Sequence, residues 1–293
     1  MISLEAFAKV NRSLVVLGRR PDGYHEIDTL FETIDLYDEL RFEEDRSLSL
    51  SVDGIELPED GENLVVRAAH ALSAGAGVVR GARIRLSKRI PVGAGLGGGS
   101  ADAAATLLGL NALWRLERTR DDLSAIGATV GSDVPFFLHG GRARGTGRGE
   151  RIEPLPDRAP ESLVLFLPPF GMVTPEVYRA LASGPAPDPL PPRADVSAMP
   201  DRNDLEAAAE RLRPEIATLR SALVSHGAVS AHLSGSGSTV YGVFRSEPEA
   251  RAAAAALGRR VGVRALVART LPRAEWRRRA LPAAGSEPEA AKP

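Results

Sequence analysis

The apolar positions of this chain recur with two periods, and the switches between them mark out its elements. Residues 4–17 read as a strand with polar interruptions at Lys9, Asn11 and Arg12. Side chains alternate across a strand, so Lys9 and Asn11 share a face and Arg12 points the other way. Residues 18–25 form a turn through Pro21-Asp22-Gly23 and deliver Tyr24 and His25 at its edge. β-like runs follow at 29–36, 39–43 and 47–52, then a helix at 63–74. Residues 82–90 alternate strictly, as a half-buried strand does, and lead into Pro91-Val92-Gly93-Ala94-Gly95-Leu96-Gly97-Gly98-Gly99-Ser100-Ala101. A helical period takes over through Ala103, Ala104, Leu107, Leu108 and Trp114, with Ser100 as its expected N-cap.

The second half repeats these signals. A short helix at 121–129 precedes Gly131-Ser132-Asp133-Val134-Pro135-Phe136-Phe137-Leu138, where one acid stands against an apolar run. Residues 140–149 read as a tight hairpin, 162–167 as a buried strand, 174–182 as a helix and 184–200 as a proline-rich surface loop. Two helical patterns fill 203–225, then strand, Gly-Ser turn and strand over 229–244, a helix at 247–258 and a strand at 263–269. The pattern predicts an α+β protein of two lobes, 1–155 and 156–275, with a cleft near the glycine-rich loop. Residues 276–293 are expected to form a disordered tail, low in bulky apolar residues from Ala283 onward.

Composition narrows the chemistry. At 293 residues, net charge −1 and no cysteine, the chain gives no general attraction to nucleic acid or anionic membranes. Disulfides, thiolate catalysis and cysteine-ligated metals are excluded. With no long apolar run and no leader-like N-terminus, a cytoplasmic enzyme or binding protein is expected. Nearly all basic residues are arginine; Lys9, Lys88 and Lys292 alone are lysine. A lysine kept against that bias marks a place for a compact ammonium, except in the tail.

Five glycines at 93, 95, 97, 98 and 99, followed at once by a helix, form a candidate phosphate cradle. Gly93, Gly95 and Gly98 satisfy G-x-G-x-x-G, but no strand-end acid follows at the dinucleotide spacing, because Glu117 stands among arginines. No lysine follows the glycines either, so the P-loop pattern is absent. Asp133 in its apolar setting is either a turn residue or a catalytic carboxylate. Ser234-Gly235-Ser236-Gly237-Ser238 offers a second set of backbone amides.

The Pro91 to Ala101 loop and the Ser234 to Gly237 turn together resemble the GHMP superfamily of small-molecule kinases. The strings Ala8-Lys9-Val10-Asn11, Gly18-Arg19-Arg20-Pro21-Asp22-Gly23-Tyr24-His25 and Gly145-Thr146-Gly147-Arg148-Gly149-Glu150 are similar to one branch of it, whose acceptor polyol carries a cytidine diphosphate. The resemblance spans residues 6 to about 270. It implies an N-terminal lobe like ribosomal protein S5 domain 2 and a ferredoxin-like C-terminal lobe. It also implies ATP and Mg²⁺, with Lys9 and Asp133 catalytic. Pro91, Val92, Gly93, Ala94, Gly95, Leu96, Gly97, Gly98, Gly99, Ser100, Ala101, Lys88 and Asn63 would hold ATP, and Ser100 would face the metal. Asn11, Tyr24, His25, Thr174, Tyr178 and Gly235 would hold the acceptor. A monomer or weak homodimer without nucleic-acid or membrane partners is expected. Two departures stand out: Arg12 where the branch usually has leucine, and Ala101 where it often has a second serine. A homoserine or mevalonate kinase would share the glycine loop and lack the Gly-Tyr-His string. A nucleotide-binding relative without activity would have lost Lys9 or Asp133.

Overall fold

The computed structural model describes residues 1–184, 201–261 and 263–282; the expected loop at 184–200 lies, beyond Gly184, outside the described residues, as does the end of the tail. Two long strands form the spine. β1 (Ile2–Arg19) and β2 (His25–Asp45) pair antiparallel through the Pro-Asp-Gly turn, and β2 runs unbroken where two shorter strands are expected. β3 (Leu48–Asp53) and β4 (Gly81–Ser87) extend the sheet beyond β2, with α1 (Leu64–Ala76) between them. α2 (Gly98–Leu113), α3 (Arg120–Val130) and α4 (Val134–His139) follow. The hairpin β5 (Arg142–Gly147) and β6 (Arg151–Pro154) joins the sheet along β2. Leu4, Ala6 and Phe31 of the sheet share one core with Val65 and Leu72 of α1, Leu107 and Leu110 of α2, and Phe136 of α4.

The second lobe is a four-stranded antiparallel sheet. β7 (Ser162–Leu167) leads through α5 (Thr174–Ala182), β8 (Arg202–Asn203), α6 (Glu206–Leu212) and α7 (Glu215–Ser225) to β9 (Ser230–Leu233). β10 (Val240–Phe244), α8 (Glu247–Val261) and β11 (Arg264–Arg269) complete it, before α9 (Arg273–Ala280). The order β11-β7-β10-β9 with helical crossovers is the ferredoxin-like arrangement. β7 is buried on both faces. Val164 and Phe166 pack under the helices, while Leu163, Leu165 and Leu167 meet Ala8, Val10 and Ile34 of the first sheet. This third core clamps the lobes together.

The lobes do not divide cleanly along the chain. β8 pairs parallel with β1, so a two-residue strand from the second half completes the first sheet. Residues 276–280, expected in a disordered tail, belong to α9, and Trp276 is buried against Phe7. A bulky aromatic paid for by so large a burial overrides the polar composition around it. No helix of the described residues is long and apolar enough to cross a membrane.

Candidate active site

A β-bulge aims the first site residue. Before it, Leu4 and Ala6 of β1 face the helices and Phe7 faces α9. The register slips between Phe7 and Lys9, and the facing reverses. Ala8 and Val10 now meet the second sheet, so Lys9 and Asn11 turn to the helix side, at the cleft. Lys9 lies over the Phe31 ring at 5.6 Å, and its Nζ is 3.6 Å from Asp133 Oδ2. Lys9 is buried, whereas the Asp133 side chain is 31 % exposed. Burial pushes the ammonium below its usual pKa, and Asp133 pulls part of the way back. Asp133 stands at the N-terminus of α4 with no capping bond from its side chain, so its carboxylate is free to face the cleft. Arg12, on the opposite face, pairs with Glu161 at 2.9 Å and Asp201 at 2.8 Å, outside the site.

The glycine loop is shaped by close approach. Gly95 holds φ +76°, and a Cβ there would lie 2.1 Å from the Ser234 carbonyl oxygen. The two glycine-rich loops are thereby docked: Thr239 N–H donates to Ala94 O at 3.0 Å and Ser234 Oγ to Gly95 O at 2.9 Å. Gly97, at φ +73°, is the N-cap of α2, so the helix begins before Ser100 and the serine is not its cap. A helix that starts on Gly98 and Gly99 exposes first-turn N–H groups at the cleft, the donors an anion needs. The Leu96 and Ala101 side chains do not reach it. Leu96 is in the core between the lobes and Ala101 in the first-lobe core, so a serine at 101 would not face the cleft either.

One arm of the cleft passes Asn63 and Lys88. Asn63 caps α1, accepting from Val65 N–H at 3.0 Å and donating to Pro58 O at 2.7 Å. Lys88 is buried between Asp38 at 2.5 Å and Asp102 at 2.8 Å. Burial opposes its charge, yet Asp102 and Asp38 together hold its pKa above the usual value. Asp102 is pushed up to about 8 by burial and by Asp38, against the pull of Lys88.

The other arm is aromatic. The His25 and Tyr178 rings stack at 4.4 Å and 18°, and Arg148 covers Tyr24 at 4.7 Å. Burial, with Arg19 nearby, lowers the His25 pKa. Burial, with Asp133 and Asp204 adding to it, raises the Tyr178 hydroxyl to about 12. Thr174 Oγ1 and Ser236 Oγ share a 2.8 Å hydrogen bond across the mouth. Gly235 brings backbone to the Lys9–Asp133 pair: a Cβ on it would stand 3.4 Å from Lys9 Nζ.

One cleft of about 1210 Å³ gathers Lys9, Asn11, Tyr24, His25, Asn63, Lys88, Asp133, Thr174, Tyr178, Gly235 and the loop from Pro91 to Ser100 apart from Leu96. Sequence reasoning missed Arg148 and Ser236, which also line it. Arg148 carried a signal, being the charged residue of Gly-Thr-Gly-Arg-Gly, but it reads equally as hairpin. Among the described residues no three His, Cys, Asp or Glu side chains converge as a metal cluster. A hydroxyl such as Ser100 at a phosphate cradle suits Mg²⁺, which takes few protein ligands and keeps phosphate oxygens and waters.

The chain matches the GHMP kinases N terminal domain over residues 63–141 and the GHMP kinases C terminal domain over residues 193–264. It is 45% identical over 282 residues to a 4-diphosphocytidyl-2-C-methyl-D-erythritol kinase of Pelotomaculum thermopropionicum, covering 92% of this chain and 98% of that one. It is 43% identical over 271 residues to the Moorella thermoacetica enzyme of the same name, covering 88% and 95%. A crystal structure of 4-(cytidine 5'-diphospho)-2C-methyl-D-erythritol kinase superimposes with TM-score 0.77 at 42% identity, over 92% of this chain and 99% of that one. A homoserine kinase from Cytophaga hutchinsonii, at 19% identity and TM-score 0.67 over 93% and 95% of the chains, shares the fold.

Proposed function

Since the chain belongs to the 4-diphosphocytidyl-2-C-methyl-D-erythritol kinases of the GHMP family, we propose that its cleft holds ATP along the glycine loop and a cytidine-bearing acceptor along the aromatic arm. The enzyme transfers the γ-phosphoryl group of ATP to the 2-hydroxyl of 4-diphosphocytidyl-2-C-methyl-D-erythritol, giving the 2-phosphate and ADP. This step lies on the non-mevalonate route to isopentenyl diphosphate. The observation that carries the site assignment is the 3.6 Å pair of Lys9 and Asp133 between the α2 N-terminus and the aromatic arm.

Phosphoryl transfer is mostly positioning and charge stabilisation. The first-turn N–H groups of α2 and the loop amides from Gly93 to Gly99 bind the phosphates. Asp133 takes or orients the proton of the acceptor hydroxyl, while Lys9 beside it offsets charge on the moving group. Ser100 would hold Mg²⁺, which would supply charge neutralisation there. Asn63 and Lys88 flank the nucleoside. Asn11, Thr174 and Gly235 hold the polyol end of the acceptor. His25 and Tyr24 read the cytosine. The 4.4 Å stack of His25 on Tyr178 leaves no room for a base between those rings, so Tyr178 offers a face only once His25 turns aside. The reading carries with it a cytoplasmic monomer or weak homodimer, without nucleic-acid or membrane partners.

A coupled assay of ADP release tests the function against its rivals. Turnover is expected with the cytidine-linked acceptor and not with homoserine or mevalonate. Turnover with either of those and none with the cytidine compound overturns the reading.

A further inference from the structure

A chain of buried hydrogen bonds stands behind Lys9. Thr29 Oγ1 donates to the Ser13 carbonyl at 2.6 Å, Asn11 Nδ2 donates to Thr29 Oγ1 at 2.8 Å, and Lys9 Nζ donates to Asn11 Oδ1 at 2.5 Å. All three side chains are buried, Thr29 completely. Each direction follows from the one before. A carbonyl can only accept, so the single hydroxyl proton of Thr29 is committed to Ser13. Thr29 Oγ1 is then left with lone pairs for Asn11, and only the amide nitrogen can donate to them. That choice turns Oδ1 of Asn11 toward Lys9, which has donors alone. With the amide reversed, its NH₂ would face an ammonium. Two donors would meet in a buried site, and the charged form of Lys9 would lose support.

We propose that Thr29 is a positioning residue that acts on Lys9 through the amide of Asn11, setting it as an acceptor so that a charged Lys9 is held at the reaction centre. Thr29 does not line the cleft and needs no contact with either substrate. The charged group facing Lys9 is Asp133, from the N-terminus of α4; β2 contributes the Phe31 ring, and the Gly97 and Gly235 loops contribute backbone. The inference rests on the reading of Lys9 as catalytic.

The test uses Thr29→Val, which keeps the β-branched shape of the strand residue and removes the hydroxyl, with Thr29→Ser, which restores it. Thr29→Val is expected to lower kcat about 10- to 100-fold, the size of leaving a buried donor without its partner. KM for ATP should change by less than about threefold, because uniform binding is untouched. The alkaline limb of its kcat profile should move to lower pH, and Thr29→Ser should return both kcat and the limb toward the parent. Lys9→Met serves as the control for the underlying reading. Near-normal turnover by Lys9→Met removes the catalytic assignment itself. Loss in Lys9→Met together with an unchanged pH limb in Thr29→Val overturns the role of Thr29. Equal damage by Val and Ser does so too, since that pattern belongs to packing alone.

Discussion

Lys9 is an ammonium placed where an ammonium is poorly stabilised. It is buried, and its partner Asp133 is a partly solvated carboxylate 3.6 Å away. Its native pKa lies below the ordinary 10.5. Between the two values the folded chain binds fewer protons than the unfolded one, so stability rises with pH through that window. Lys9→Met should abolish this slope and raise stability by about 1 kcal/mol while removing turnover, as expected for a site held at the expense of stability. Urea denaturation across pH 7 to 10.5 reads the slope, and a variant less stable than the parent would count against it. Asp133→Asn should lower kcat by at least about 100-fold, the range of general-base losses, with KM for ATP little changed. These residues were legible because each breaks a local pattern: a lysine in an arginine-rich chain, an acid in an apolar run. Thr29 and Asp102 were not legible. Thr29 is an ordinary strand residue until β2 is laid beside Ser13, and Asp102 is one polar position in a helix until Lys88 is brought to it.

At the scale of elements, the glycine loop is legible as a turn leading straight into a helix, but the serine signal misplaces the helix start. The structure uses Gly97 in the left-handed region instead, a conformation that the serine rule does not anticipate. The bulge between Phe7 and Lys9 was also hidden, because alternation alone already put Lys9 and Asn11 on one face without saying which face. Gly95→Ala tests the docking of the two loops. The added Cβ meets the Ser234 carbonyl at 2.1 Å with φ at +76°, so the loop must shift. A loss of about 2 kcal/mol or more in stability and a weakened ATP affinity are expected together. Normal ATP binding in that variant would separate the cradle from the loop–loop contact. α4 carries a second, acid-sensitive group. His139, at its C-terminus, is lowered to about 4 from 6.5 by burial, then by Arg120 and Arg273, with Asp121 opposing. The folded chain keeps the ring neutral where the unfolded chain would charge it. This stability is therefore full above pH 6.5 and is lost as pH falls toward 4. His139→Gln should flatten that acid limb by about 1–2 kcal/mol after allowance for solvent screening, measured by denaturation at pH 7 and pH 4.5.

The whole molecule is tied by segments that cross between its halves, which a linear reading of lobes cannot show. The ferredoxin-like succession of strands and helices was visible in order, whereas the strand neighbours were not, since pairing joins residues such as Leu165 and Leu266 across a hundred positions of chain. Tyr241 of the second sheet donates its hydroxyl to the Asn11 carbonyl at 2.9 Å, so the second lobe also fixes the strand that carries Lys9. α9 makes the dependence run through the C-terminus. Its Trp276 is buried beside Gly140, where a Cβ would come within 2.1 Å of the indole, and Arg279 covers Phe7 at 4.7 Å. Arg273, at the helix start, donates to the carbonyls of Gly140, Leu155 and Arg142. Ending the chain after Pro272 therefore strips a wall from the first lobe, although the missing residues follow the second lobe in sequence. The expected loss is about 3–5 kcal/mol, the scale of deleting a buried tryptophan, with Trp276→Ala reproducing most of it. Because Phe7 immediately precedes the bulge that aims Lys9, kcat should fall in the truncated chain even at temperatures where it stays folded. Equilibrium unfolding and turnover measured on both variants decide this: a truncated chain as stable and as active as the parent would make α9 a passive appendage.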